Sequence, residues 1–271
     1  MRHAVFVAPF GPLADPYRLI DLAHACEETG WDGLFLWDHV LRPESNEIID
    51  PWVSLGVIAA ETHRLRIGTM VTPLVRRRLL KFAREVVTVD RLSSGRVTLG
   101  IGLGVDTHGE LTRTGEIVDQ KARGAMLDEG VPVLAKLLSG AIVDHHGEHY
   151  VLEGVGLEPK PVQQPRPPIW LAAGGGLGKA VRRAAQYDGV FPLKIDSGRF
   201  SRMLDEIAAV RGDLEDFDVV VNTGPGSMPP AHTHEHATWA MHAWPAVADL
   251  NHVFDVVGNG PPEQSRLDSS A

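Results

Sequence analysis

Short apolar runs recur along the chain, separated by stretches whose apolar residues repeat at helical spacing. His3–Ala8, Gly33–Trp37, Ile67–Val71, Val97–Ile101, Ile169–Ala173, Gly189–Leu193, Phe217–Asn222 and the weaker His236–Met241 read as strands. Most are too short for buried helices and are rich in β-branched residues. Asp15-Pro16 and Asp50-Pro51 each supply a carboxylate cap followed by a proline in the first turn, predicting helices that run to Gly30 and to about His63. Leu79, Leu80, Phe82, Ala83, Val86, Val87 and Leu92 mark a third helix, stopped by Ser94-Gly95. A fourth runs from Asp119 to Leu138, where Gly130 and Pro132 should kink or split it. Ile142–Leu152 alternates like a hairpin arm, and Pro159, Pro161, Pro165, Pro167 and Pro168 mark an extended connector. Further helices are expected over Leu177–Gln186, Arg199–Val210 and near Val247–Val257.

Strand, helix and parallel strand in regular alternation predict an α/β fold, a (β/α)8 TIM barrel with an insertion after helix 4. One crossover breaks the pattern. Gly224, Pro225, Gly226, Pro229 and Pro230 cannot support a helix, so helix 7 is expected to be missing or shortened. That loss would expose the outer face of the last two strands, with Val219, Val221 and Trp239 as candidates. The 271 residues suit one such barrel, and a single domain over 1–271 is expected.

A formal net charge of −9 argues against nucleic acid or an anionic membrane as partner. No run reaches the roughly 18 apolar residues of a membrane span, and the N-terminal residues lack a signal h-region. The one cysteine, Cys26, lies among small residues on a predicted helix and reads as core; a cytoplasmic protein is expected. His145, His146 and His149, and the alternating His232, His234 and His236, invite a metal reading, with surface histidines as the plainer one. No carboxylate–histidine pattern of a metallohydrolase stands at the strand ends, and no metal site is assigned.

The fourth strand runs into Gly100, Gly102 and Gly104, where a flat ligand or a phosphate could approach the backbone at the carboxyl end of the sheet. Around it lie Gly30–His39 (GWDGLFLWDH), Asp50–Thr69, Asp90–Gly104 (DRLSSGRVTLGIGLG), Gly147–Gly175 and Tyr187–Pro192. In this order they resemble the luciferase-like monooxygenase superfamily, as do Ala237–Pro245 and Gly260-Pro261-Pro262. The resemblance implies a barrel oxidoreductase using FMN, or alternatively the deazaflavin coenzyme F420, with NADH or NADPH as reductant. The reaction on a small-molecule substrate would be hydride transfer or oxygenation through a C4a adduct. A flavin-binding protein without turnover is the alternative from another class. The resemblance also implies a homodimer.

The same resemblance implies site residues. His39 would face the ring as a hydrogen-bonding or acid/base group, chemistry that suits imidazole; a loop histidine that only caps structure is the competing reading. Asp38 would orient its neighbour. Met70, Val71 and Thr72 would form a bulge with a cis peptide at Met70–Val71 against the ring; otherwise Met70 simply fills core. Gly102, Gly104, Val105 and Asp106 would line the cofactor, Val105 standing where some deazaflavin-dependent relatives carry a catalytic glutamate. Asp106 and Glu110 could equally cap the next turn. Ala173, Gly174, Gly175 and Gly176, with Lys179 in the following helix, match a phosphate segment, where free N–H groups and a helix N-terminus suit an anion. Arg76-Arg77-Arg78 is either a solvated charge run or a steering patch for the cofactor phosphate or acidic tail. His242 stands where relatives often have glutamate.

Overall fold

In the computed structural model, which describes residues 1–175, 178–193 and 195–262, eight parallel strands close into a barrel. In chain order the elements are β1 (Arg2–Val7), α1 (Pro16–Glu28), β2 (Gly33–Leu36), α2 (Pro51–Glu61), β3 (Arg66–Pro73), α3 (Leu79–Leu92) and β4 (Val97–Gly102). Then come α4 (Gln120–Leu138), β5 (Val143–His146), β6 (Val151–Val155), β7 (Ile169–Gly174), α5 (Lys179–Ala184), β8 (Gly189–Leu193) and α6 (Ser197–Arg211). The last are β9 (Asp218–Thr223), α7 (Ala231–His234), β10 (Trp239–Ala243) and α8 (Leu250–Gly258). β5 and β6 pair antiparallel outside the barrel, the insertion after α4. The expected cap signals work as written: Asp15 Oδ1 accepts from Tyr17 N–H at 2.9 Å and Asp50 Oδ1 from Val53 N–H at 2.9 Å.

Alternation along the strands sorts two cores. Val5, Val7, Leu34, Leu36, Ile67, Val97, Leu99, Val190, Val219 and Val221 face outward under the helices, and Cys26 is buried among them. Ala4, Phe6, Phe35, Met70, Trp170, Phe191, Val220, Trp239 and Met241 fill the barrel interior. Phe35 stacks on Trp170 at 5.4 Å between ring centroids, and Trp239 meets the two at 6.0 and 5.5 Å. Glycines make room for these rings. A Cβ on Gly189 would lie 2.5 Å from Trp170 Cδ1, and one on Gly33 3.3 Å from Trp239 Cζ3.

Several expectations are corrected. The last strand begins at Trp239 rather than His236, and its phase places Trp239 inside the barrel, because Gly33 leaves space there. Helix 7 is shortened to the four residues of α7, as expected, but among the described residues it leaves no open apolar face at the candidates named for one. Val219 and Val221 are buried. His232 of α7 lies edge-on to Phe200 of α6 at 6.2 Å, and a Cβ on Gly226 would meet Val256 of α8 at 3.3 Å, so the Gly/Pro loop is packed onto the helices. α4 is one helix through Pro132: Val131, Val133, Leu134 and Leu137 bury against the core and hold the segment together despite the missing N–H. α1 closes at Glu28, with Gly30 at φ +89° turning the chain, and α5 spans only Lys179–Ala184; Leu177 lies outside the described residues.

Candidate active site

The carboxyl ends of the strands carry the polar residues singled out in the sequence. β2 runs through Trp37 and Asp38 into His39, and β3 ends in a break of register between Thr69 and Thr72, where the Met70–Val71 peptide is cis as expected. The glycines of β4 answer that bulge. A Cβ on Gly100 would lie 2.1 Å from the Thr69 carbonyl oxygen and 2.5 Å from Met70 Sδ, and one on Gly102 2.5 Å from Val71 Cγ2. Gly104, at φ +72°, turns over Pro73. These residues are small because β3 leans on them.

Behind the bulge lies a buried polar network. Trp52 Nε1–H donates to Thr72 Oγ1 at 2.9 Å, Thr72 Oγ1–H donates to Asp38 Oδ2 at 2.7 Å, and Thr69 Oγ1 lies 2.8 Å from Thr72 Oγ1. Arg77 donates to Asp38 Oδ2 at 2.9 Å, and Arg76 donates to Asp38 Oδ1 and to the Asp38 carbonyl at 3.3 and 3.0 Å. Arg76 and Arg77 are therefore turned inward and bonded, neither a solvated run nor free to steer an anion; Arg78 is exposed. Asp38 spends its carboxylate on the arginines and Thr72, not on His39.

The group that orients His39 is Glu110. His39 Nδ1 lies 2.6 Å from Glu110 Oε2, while Glu110 Oε1 accepts from Val40 N–H at 2.7 Å and Leu41 N–H at 3.2 Å. Burial pushes the Glu110 carboxyl up, but the hydrogen bonds from His39, Val40 and Leu41 outweigh it and hold it down at about 2. An ionised carboxylate only accepts, so Nδ1 carries the proton of that bond and a neutral His39 presents its lone pair at Nε2. The His39 side chain is one-fifth exposed and lines an open cleft, whereas Glu110 is buried. Asp106, by contrast, does cap a turn: its Oδ1 accepts from Leu111 N–H at 2.7 Å and Thr112 N–H at 3.0 Å, which lowers its carboxyl below the ordinary value. Val105 stands half exposed on the rim.

Across the mouth, Ala173 is buried and Gly174 and Gly175 are exposed, with nothing within 4 Å of a Cβ built on either glycine. One N–H group of the segment expected to serve an anion, that of Gly175, and that of Gly178 at the start of α5 are already used. Gly175 N–H donates to the Leu193 carbonyl at 3.3 Å, and Gly178 N–H to Glu206 Oε2 at 3.1 Å. What this loop offers is open space and the exposed ammonium of Lys179. Gly176 lies outside the described residues. Trp37, Val71, Leu193 and Ala243 form the half-buried floor of the mouth. The indole N–H of Trp37 is buried without a partner among the described residues. Arg123 of α4 donates to the Gly104 carbonyl at 3.2 Å and steadies the end of β4.

Sequence reasoning misses Arg123 and names Glu110 and Arg76 without their roles, Glu110 holding His39 and Arg76 holding Asp38. The available signal was a carboxylate in an otherwise Gly- and Thr-rich loop, and an arginine triplet directly after a strand end. His242 faces outward from the barrel rather than into the mouth. It is buried, with its Nε2 3.0 Å from His3 Nδ1 and its ring edge-on to Trp31 at 4.7 Å. No group of three or more metal-ligating side chains comes together among the described residues, and His145 is bonded to Glu129 at 2.9 Å. No described helix is long and apolar enough to cross a membrane.

Two of the curated relatives are named for the same activity, and a third is an uncharacterised protein, y4wF, of Sinorhizobium fredii. The chain is 33% identical over 166 residues to an F420-dependent glucose-6-phosphate dehydrogenase of Nakamurella multipartita, covering 59% of this chain and 47% of the relative. It is 33% identical over 164 residues to the enzyme of the same name from Amycolatopsis mediterranei, covering 59% and 48%. The chain thus spans about half the length of the curated relatives it matches. Among solved structures, the monooxygenase RslO1 from Streptomyces bottropensis superposes with a TM-score of 0.71 at 23% identity, covering 83% of this chain and 71% of that one. An F420-dependent secondary alcohol dehydrogenase gives 0.71 at 18% identity, covering 96% and 84%. These two likenesses show the fold. The model of the luciferase-like monooxygenase family matches residues 3–251, and the chain belongs to that family.

Proposed function

We propose that the chain is an oxidoreductase that binds a flavin-type cofactor, FMN or the deazaflavin coenzyme, across the mouth of the barrel and acts on a small organic molecule beside His39. The observation that carries this reading is the His39–Glu110 pair at 2.6 Å, set at the strand ends next to the β3 bulge. The residues present suit such a group. Val71, Leu193, Ala243 and Trp37 offer an apolar floor with one unpartnered N–H, and Gly174, Gly175 and Lys179 offer an open edge with a cation. When bound, the cofactor supplies two-electron chemistry, as a hydride acceptor or donor or, for reduced FMN, toward dioxygen. The family membership and the names of the curated relatives and structural neighbours support an oxidoreductase; FMN and deazaflavin enzymes are both among them.

The chain's own part is proton handling and placement. Glu110 fixes the His39 ring and tautomer, so that Nε2 takes a proton from a substrate hydroxyl as its carbon is oxidised, or returns one in the reverse direction. The Glu110 carboxylate stabilises the imidazolium that forms, without itself becoming protonated. Asp38, Arg76, Arg77 and Thr72 hold the strand ends that carry His39 and the bulge. The reading is tested by following reduction of oxidised FMN and of the oxidised deazaflavin coenzyme by a panel of alcohols, and oxidation of their reduced forms with NADH and NADPH as reductants, beside oxygen uptake. Redox turnover of either cofactor that requires His39 supports the reading, and its absence with both cofactors across a substrate panel removes it. A flavin-binding protein without turnover is the second reading, and bound cofactor with no redox turnover across that panel would favour it. A homodimer is proposed on different grounds. Val53 of α2 and Leu92 of α3 are exposed on neighbouring helices and, with Gly56, line one shallow hollow.

A further inference from the structure

Beside His39 the loop after β2 and the loop after β4 enclose a cleft of about 380 Å³, at the small end of the roughly 300–1,000 Å³ usual for small-molecule sites. Val40, Leu41, Pro43, Ile48, Ile49 and Pro51 supply the apolar part of a lining that is otherwise polar. Its charges are unevenly committed. Of its two carboxylates, Asp38 is bonded to Thr72, Arg76 and Arg77, and Asp50 caps α2. Arg42 is held by Glu44 in two contacts, at 3.0 and 3.2 Å. Arg113 and His108 also line the cleft, and neither side chain has a hydrogen bond or ion pair among the described residues. Among the described arginines only Arg78 shares that condition with Arg113, and both are exposed. In a chain of net charge −9, whose described arginines other than Arg78 and Arg113 are engaged, an unengaged guanidinium at a partly apolar cleft beside the proposed base is a recognition element. The Arg113 stem is set in place by Gly109, at φ +77°, whose Cβ would otherwise lie 2.6 Å from Arg113 Cδ.

From this arrangement we infer that the substrate is a small organic acid with an apolar body, a medium-chain or aromatic carboxylate, whose carboxylate is received by Arg113 and His108 while the body lies along the apolar wall toward His39. The inference rests on the proposed redox function only for the direction in which the molecule is presented. Guanidinium recognises carboxylate through paired N–H···O bonds. Against Val40, Leu41, Ile48 and Ile49 an apolar body is in favourable contact, whereas hydroxyls of a sugar phosphate placed there would meet no partner. The activity in the names of the curated relatives therefore need not carry over to this cleft.

The test is calorimetric titration of the full chain, without cofactor, with octanoate, octanamide and glucose 6-phosphate. Octanoate should bind at least about tenfold more tightly than the neutral octanamide, and more tightly than glucose 6-phosphate. Arg113→Ala should abolish the preference for octanoate over octanamide, and Arg78→Ala should leave it intact. Equal affinity for acid and amide, or an unchanged preference in Arg113→Ala, overturns the inference. Tighter binding of glucose 6-phosphate overturns the apolar-body assignment. Flavin affinity, measured on the same protein by fluorescence, reports separately on the cofactor reading, so failure of one is not mistaken for failure of the other.

Discussion

At the scale of single residues, the decisive contact is a histidine held by a buried carboxylate. Replacing His39 with Ala removes the proton acceptor and should lower turnover by on the order of 100-fold while leaving the fold and cofactor affinity intact; wild-type turnover would remove His39 from the chemistry. Glu110→Gln should lower kcat more than it raises KM, because an amide facing the Val40 and Leu41 N–H groups cannot also accept as the carboxylate does. Its pH dependence separates this role from mere packing. The folded-state pKa of Glu110 is lowered from 4.5 to about 2, so its contribution to stability is present above about pH 4.5 and is lost as the pH falls toward 2. Wild-type protein should lose stability through that window, and Glu110→Gln should start lower at pH 7 and show a flatter acid limb in thermal melts. Overlapping acid limbs would contradict the assignment. His39 was legible in the sequence because it closes a strand in a Trp-Asp-His run. Its partner was not, because 71 positions separate the two and the pairing exists only once β2 and β4 are brought to one rim. Asp38, adjacent in sequence, was the natural guess, but its side chain is drawn toward Arg76 and Arg77.

At the scale of elements, the glycines of the strands are spacers for neighbouring chain and rings. Gly100→Ala drives a methyl into the Thr69 carbonyl and Met70, backbone on one side, and should destabilise by about 2 kcal/mol or more, within the range for overpacking a core. Gly124, on α4 with nothing within 4 Å of its would-be Cβ, should instead gain about 0.5–1 kcal/mol on conversion to Ala. Denaturant melts of the two variants should move in opposite directions, and a neutral Gly100→Ala would undo the account of the bulge. The seam that closes the barrel, β1 against β10, carries the His3–His242 pair. Burial, with His3 alongside, lowers His242 from 6.5 to about 3. A histidine that stays neutral when folded costs stability as the pH falls below 6.5, with the loss accumulating toward 3. His242→Leu should therefore flatten the dependence of Tm on pH between about 6.5 and 4.5, before the Glu110 window opens; an unchanged slope would show that the seam does not titrate. Strand order and most helix starts were legible because Asp-Pro caps and β-branched runs are local signals. The phase of β10 was not, since only the empty space over Gly33 tells Trp239 to point inward.

At the scale of the whole molecule, the shortened seventh crossover does not leave the barrel open. Trp239 lies in the interior, so Trp239→Asp should prevent folding instead of splitting an assembly. If the α2–α3 face is the contact between copies, light scattering at micromolar concentration should give a dimer mass that Val53→Asp reduces to that of a monomer; a wild-type monomer would end that proposal. The site assembles from the two sides of one mouth, His39 and Glu110 on one and Gly174, Gly175 and Lys179 on the other. The most direct measurement of the central claim is a spectroscopic titration of the purified chain with FMN and with the deazaflavin coenzyme, repeated on Lys179→Glu and on His39→Ala. Saturable binding of at least one cofactor, weakened about tenfold or more by Lys179→Glu and little changed by His39→Ala, is the predicted result. Binding of neither cofactor, or binding indifferent to the charge at Lys179, would contradict the account.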